Sequence, residues 1–600
     1  MKQSIPQLAA GTLVLGLSFF YGCKPKPVVE ANRLPQDVKV SCVLPDSTFN
    51  SWFGGTITEN GMVQPANSVA FPNGGNCDFY NWSEQMFLWI TSPVHGGPYG
   101  GSKTVMESEV FFTVEADSIA DDNQGRLLIP HTPGTTIRAF AKGIKQVGPN
   151  GLPVIADKKG HLFEVENADR NLNNIKPAMV AGAQNAPLMV HHVNSDNNGA
   201  NVFFDEHNNV IANPKAVIKH SKNRANIVQH FVTNSGKHVL LDANSKQMDA
   251  ESAQATGDVL VAQNGSPVYY ITMVNDVYAY FVSGARNKQL TDTTLFPTTT
   301  GARDSICAYA RNAYGKTLPD SNALAMEIKT SWVEAVNLPD AEGSYFTMEA
   351  IIPTYKKVDS ANKWVLSKSR KAKLALIGMH VVGSTLGHPE MIWATFEHRK
   401  NAPNAAYKYI AADGTTKTVA ADTGSNWLLS NNGADTAPNV THQHWSNDTI
   451  VGTSSAMTPS NSSLVFPWGT AMDSLSNPQD TTSAASNSEV ISINNQVFNM
   501  LKGKDIRKNY MLIGATWTQK GTAPNGNNYS RANIGNDSVA VGTNCLANST
   551  METYIQQPTA SCLFCHNSNG TLNPYDSFGL SHVYVFIKPL PQKPKAMEKK

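Results

Sequence analysis

Near its C-terminus the chain reads Cys562-Leu563-Phe564-Cys565-His566. Two cysteines at this spacing, followed at once by histidine, form the pattern that attaches a haem c covalently. The thiols add to the porphyrin vinyl groups, and the imidazole reaches the iron as proximal ligand. Only 34 residues follow His566 in a chain of 600. The single methionine among them, Met597, lies in a tail with Lys593, Lys595, Lys599 and Lys600. A lysine-rich terminus is a poor support for an iron ligand. The motif therefore does not head a self-contained cytochrome domain. Whatever covers the ring must come from the long chain that precedes it.

The distal iron position has three sources in the sequence. His582 lies close enough to fold back over the ring, and Met551 precedes the motif. A hairpin further upstream offers His380, His388 and His398. Of these, His388 and His398 lead, with His582 behind. An open sixth position would instead admit peroxide or oxygen.

The hairpin spans residues 373–398. An apolar, β-rich run ends at Val382, and Gly383-Ser384-Thr385-Leu386-Gly387 reads as a five-residue loop. That register sets Val382 opposite His388 and His380 opposite Glu390. Period-two alternation then places His380, His388 and Glu390 on one patch, with His398 on the same face further along. Imidazole and carboxylate together suit iron, manganese or copper, so the patch is a candidate second metal site. The alternative is a hydrogen-bonded core network.

Elsewhere the pattern is mixed. Phe79, Trp82, Met86 and Trp89 recur at helical spacing, which predicts a helix over 77–90 whose aromatic face is core, with Asp78 as its cap. Leu324, Ile328, Trp332 and Ala335 predict a second helix over 322–335. Short β-rich runs at 110–114, 201–204, 259–261 and 267–271 alternate with Gly, Asn, Asp and Pro clusters. Residues 345–353 read as extended and 411–488 as polar surface loops; 490–501 and 511–517 look regular, and 548–557 reads as a helix leading into the haem motif. The pairs His191-His192 and His442/His444 lack converging ligands and are not read as metal sites. The fold class expected is α+β, a strand-rich body with a short haem-attachment segment.

The N-terminus carries Lys2, an apolar stretch from Leu8 to Phe20, and then Tyr21-Gly22-Cys23. The stretch is too short for a membrane span and reads as a signal peptide. A small residue before cysteine here resembles the lipobox of bacterial lipoproteins. That resemblance implies cleavage before Cys23, lipid on Cys23, and anchoring in a bacterial envelope, facing the periplasm. The expected division is a signal peptide (1–22), a Pro- and Lys-containing tether (23–40), a strand-rich part (41–290), a second part with the hairpin (291–540), and the haem segment (541–600).

Lys and Arg total 48 against 47 Asp and Glu. So even a balance argues against nucleic acid as partner, which needs a clustered basic surface. Of seven cysteines, removing Cys23, Cys562 and Cys565 leaves Cys42, Cys77, Cys307 and Cys545. An even remainder in an oxidising compartment predicts two disulfides, with Cys42–Cys77 and Cys307–Cys545 favoured among three pairings.

The segments 546–554, 562–566, 580–583 and 587–590, with 77–89 and 378–398, resemble a family of large exported bacterial proteins with one c-type haem. The resemblance implies one covalent haem c and electron transfer with a redox partner protein or small-molecule donor or acceptor. It names no substrate or catalytic residue. Two other readings remain: a haem-dependent oxidoreductase or peroxidase-like enzyme with a second metal, and an envelope binding protein whose haem is structural.

Overall fold

In the computed structural model the described residues are 34–94, 99, 103–115, 126–132, 136–141, 150, 152, 154–156, 162–167, 177–182, 186–196, 200–220, 224–233, 238–249, 259–358, 362–423, 426–431, 438–446, 449–469, 481–522, 524, 540–543, 545–554, 556, 562–566, 580–581, 583–584 and 587–592. Cys23, His582 and the side chain of Cys565 lie outside them.

The body is α+β and strand-rich, built on a sheet that has twelve strands among the described residues. Its main path uses β1 (Phe111–Val114), β2 (Leu128–Pro130), β3 (Tyr269–Asn275), β4 (Met326–Glu334), β6 (Lys363–Thr385), β7 (His388–His398), β8 (Tyr510–Thr518) and β9 (Ala540–Gly542), in the order β2-β1-β3-β4-β6-β7-β8-β9. A further strand, β5 (Thr347–Lys357), pairs with the outer half of β6. This sheet draws strands from both sides of residue 290, so the two expected parts of the body share one core. Strands between 154 and 249 form smaller sheets around their own apolar cluster, which includes Val180, Phe203, Ile227 and Val239.

Each face of the main sheet is covered. Helices α1 (Asn76–Ile90) and α4 (Thr481–Met500) pack on one, against Met379, Val381, Ile392, Ala394 and Phe396. Helices α2 (Asp276–Arg286) and α3 (Thr300–Tyr309) cover the other, together with C-terminal residues that include Leu563, Leu580 and Val583. Helix α1 confirms the aromatic pattern: Phe79, Trp82, Met86 and Trp89 are all buried. Asp78 does not cap the helix forward. Its Oδ2 accepts from the Gly74 amide at 2.6 Å.

Several expectations are corrected. Residues 326–334 are a central strand, not a helix. A spacing of four fits both periods, since it is also even; Ile328, Thr330 and Val333 are β-branched, and flanking strands claim their backbone on both sides. Residues 549–554 form turns instead of a helix, and 259–261 contribute only an isolated bridge. Among its described residues, the polar stretch 411–488 holds three short strands and the start of α4. The expected tether is shorter at its end, because Leu34 and Val38 are buried in the core and Lys39 donates its amide to the Ile410 carbonyl at 2.8 Å.

Cys42 and Cys77 are joined, closing a sequence separation of 35. Cys307 and Cys545 are not. Cys307 lies on α3 against the apolar cluster of that face, whereas Cys545 is buried next to Leu546, which belongs to the opposite cluster.

Candidate haem attachment site

The haem motif folds as one helical turn, Cys562–Cys565, with the His566 amide bonded back to the Cys562 carbonyl at 2.8 Å. A turn of helix carries residues three and four apart to one side, so Cys565 and His566 follow Cys562 around a single turn. His566 Nδ1 lies 2.9 Å from the Leu580 carbonyl oxygen. A carbonyl can only accept, so Nδ1 holds the proton, and in the neutral ring Nε2 holds the lone pair. A backbone acceptor behind the ring is also how metal-bound histidines are fixed in tautomer and orientation. The Trp393 ring packs on the imidazole at 4.2 Å between centroids, and Trp393 Nε1 donates to the Glu390 carbonyl.

The surroundings are apolar and made by the body. Leu563, Leu580, Val583, Tyr584, Ile587 and Leu590 join one buried cluster with Val382, Met391 and Trp393. Polar ties hold this segment down. Ser581 donates to Glu327 at 2.5 Å and bonds Tyr278 at 2.7 Å, while Leu590 takes a bond from Tyr314 at 3.0 Å. These residues fit a covalent haem: two thiols at the required spacing, an imidazole whose tautomer is set for metal binding, and an apolar shell.

The hairpin does not assemble as expected. Its connection is two residues, Leu386 and Gly387, with Thr385 opposite His388 and Gly387 at φ +78°. His380 consequently faces Thr395, not Glu390. The observed register differs from the expected one by an odd number of residues, and an odd slip moves side chains to the opposite face. His380 therefore lies on the face of Trp393 and His566. His388 and Glu390 lie on the other, where His388 meets Phe79 and Phe71 edge-on. Their patch does not form. Among the described residues, no three His, Cys, Asp or Glu side chains converge as a metal site.

His388 and Glu390 instead make a buried pair, Nδ1 to Oε1 at 2.7 Å. With the sheet between His388 and His566, His388 is not a distal ligand in this arrangement. His398 shares the α1 face. It stacks on Tyr345 at 3.9 Å, its Nε2 meets the Ser344 carbonyl and its Nδ1 accepts from the Lys400 amide. Burial pushes its pKa down to about 3. Both ring nitrogens are thus engaged, and it too falls away as a ligand.

On the His566 face the structure gathers charged groups around His380 and Met551. His380 Nε2 pairs with Glu552 at 2.9 Å, one residue after Met551, which is buried. Burial opposes the Glu552 charge, but His380 and Lys329 outweigh it and hold the carboxyl below its usual value. Lys329 is pulled down by burial. Burial pushes Glu327 and Glu397 up to about 7. Trp393 was within reach of sequence reasoning, since alternation in the correct register sets it beside Val382. Leu580 acts through its backbone, which leaves no residue-type signal.

His192 stacks on Phe204 at 4.6 Å, and its neighbour His191 meets it ring to ring. No known protein family, curated protein or solved structure matches the chain. Among the described residues no helix is long and apolar enough to cross a membrane.

Proposed function

We propose that this chain is an exported, lipid-anchored c-type cytochrome that carries one covalent haem and passes single electrons in the cell envelope. The observation that supports it most is the His566 Nδ1 bond to the Leu580 carbonyl, directly after a helical turn bearing Cys562 and Cys565. The haem, once bound, supplies a one-electron couple whose potential follows its ligands and burial. The chain's own work is positional. Cys562 and Cys565 fix the ring, His566 presents Nε2, Trp393 restrains the imidazole, and the shell around Leu563 and Leu580 keeps water away.

For the distal position we favour His380 or Met551, the two candidates on the His566 side of the sheet. His582 remains a third. Anchoring falls to lipid on Cys23, which puts the protein at a bacterial membrane. The electron partner is a protein or small molecule.

The test is production of the full chain in a host with c-type cytochrome maturation. The expected product has a haem that survives denaturation and a mass increased by one haem on the peptide containing Cys562 and Cys565. It shows low-spin spectra in both oxidation states. A colourless protein of bare polypeptide mass at that peptide would overturn the proposal. High-spin spectra with carbon monoxide binding would favour the oxidoreductase reading instead.

A further inference from the structure

A cleft of about 410 Å³ opens on the α2 side of the main sheet, lined in part by Leu590 of the C-terminal segment. Sites for small organic ligands are usually of this size, mainly apolar, with a few placed polar groups. Phe112, Leu128, Tyr280 and Leu318 give it apolar and aromatic walls. Asp276, only 4 % exposed, also lines it. The Asp276 amide is committed to the Val110 carbonyl and its Oδ1 accepts from the Val277 amide at 2.7 Å. No other residue donates to this carboxyl among the described residues.

The charge balance around it is one-sided. Glu109 at the rim is matched by Lys316 at 3.2 Å. Asp276 has no such match, and Asp320 lies close enough to repel it. Burial first, then Asp320, push Asp276 up to about 8. A buried carboxyl without a cation is costly to ionise, and a ligand that brings the cation removes that cost. Rings such as Tyr280 add a favourable face for the same charge.

We propose that this cleft binds a small organic ammonium compound, its charged nitrogen on Asp276 and its apolar body against Phe112, Leu128 and Tyr280. The inference does not depend on haem attachment.

The test is calorimetric titration of the full chain at neutral pH with benzylamine and with benzyl alcohol, which share a shape and differ in charge. Benzylamine is expected to saturate one site at least tenfold more tightly than the alcohol. Asp276→Asn should erase that preference, and Leu318→Trp, which fills the cleft, should weaken both probes. Circular dichroism checks each variant's fold; if Asp276→Asn does not fold, Leu318→Trp decides alone. Absence of saturable benzylamine binding, equal affinity for the two probes, or benzylamine binding untouched by either folded variant would each overturn the proposal.

Discussion

Glu397 shows how a single buried group can set a pH response. It sits on the His566 face of β7, where its carboxyl accepts from the Ser549 amide at 2.6 Å, from the Ser549 hydroxyl and from Asn401. Those bonds favour the carboxylate, yet burial outweighs them and moves the pKa from the ordinary 4.5 up to about 7. Between those values the folded chain holds a proton that the unfolded chain has released. Stability therefore declines as pH rises through that window and levels off above it. The shift corresponds to roughly 3 kcal/mol. Urea unfolding at pH 5 and pH 8 should show that loss in the wild type, beside contributions from other raised groups such as Glu327. In Glu397→Gln the loss should shrink by roughly that amount. Superimposable pH profiles for the two proteins would show that Glu397 does not titrate there. None of this was legible in the sequence, where Glu397 reads as one more polar residue facing away from the hairpin histidines.

Among the elements, the 373–398 hairpin carries the clearest lesson. Its two strands were evident from β-rich composition. Its register was not, because Gly383 and Gly387 both look like turn residues and only Gly387 takes the left-handed conformation. The bulge between Gly383 and Thr385 then completes an odd offset that no pattern of apolar residues reveals. The same strand explains how the haem segment is seated. Gly378 on β6 lies under Thr550, and a Cβ there would come within 2.6 Å of both Thr550 Oγ1 and Ser331 Oγ. Gly378→Val should therefore lift residues 548–554 from the sheet and cost about 1–3 kcal/mol, as overpacking generally does. Amide hydrogen exchange would show it as faster exchange in that segment, with α1 unchanged. Unaltered protection would mean the segment is held by other contacts.

On the scale of the whole molecule, the Cys42–Cys77 bond links the N-terminal strap to α1, while Leu44 and Gln496 tie the same strap to α4. A cross-link closing a loop of this length stabilises by about 3–4 kcal/mol in the chain-entropy account. Replacing both cysteines with serine should lower the unfolding free energy by a matching amount, read as a lower urea midpoint. An unchanged midpoint would place the link's contribution elsewhere. By itself the sequence determined the spacing of Cys562, Cys565 and His566, the aromatic helix α1 and the strand-rich character. These depend on residues close together, whose spacing acts directly. Only the tertiary structure decided that His380 and not His388 shares a face with His566, that Leu580 orients the imidazole, and that Asp276 lines a cleft. Each of those depends on strand register or on backbone groups brought together from distant parts of the chain, and side-chain identity along a single strand carries no record of either.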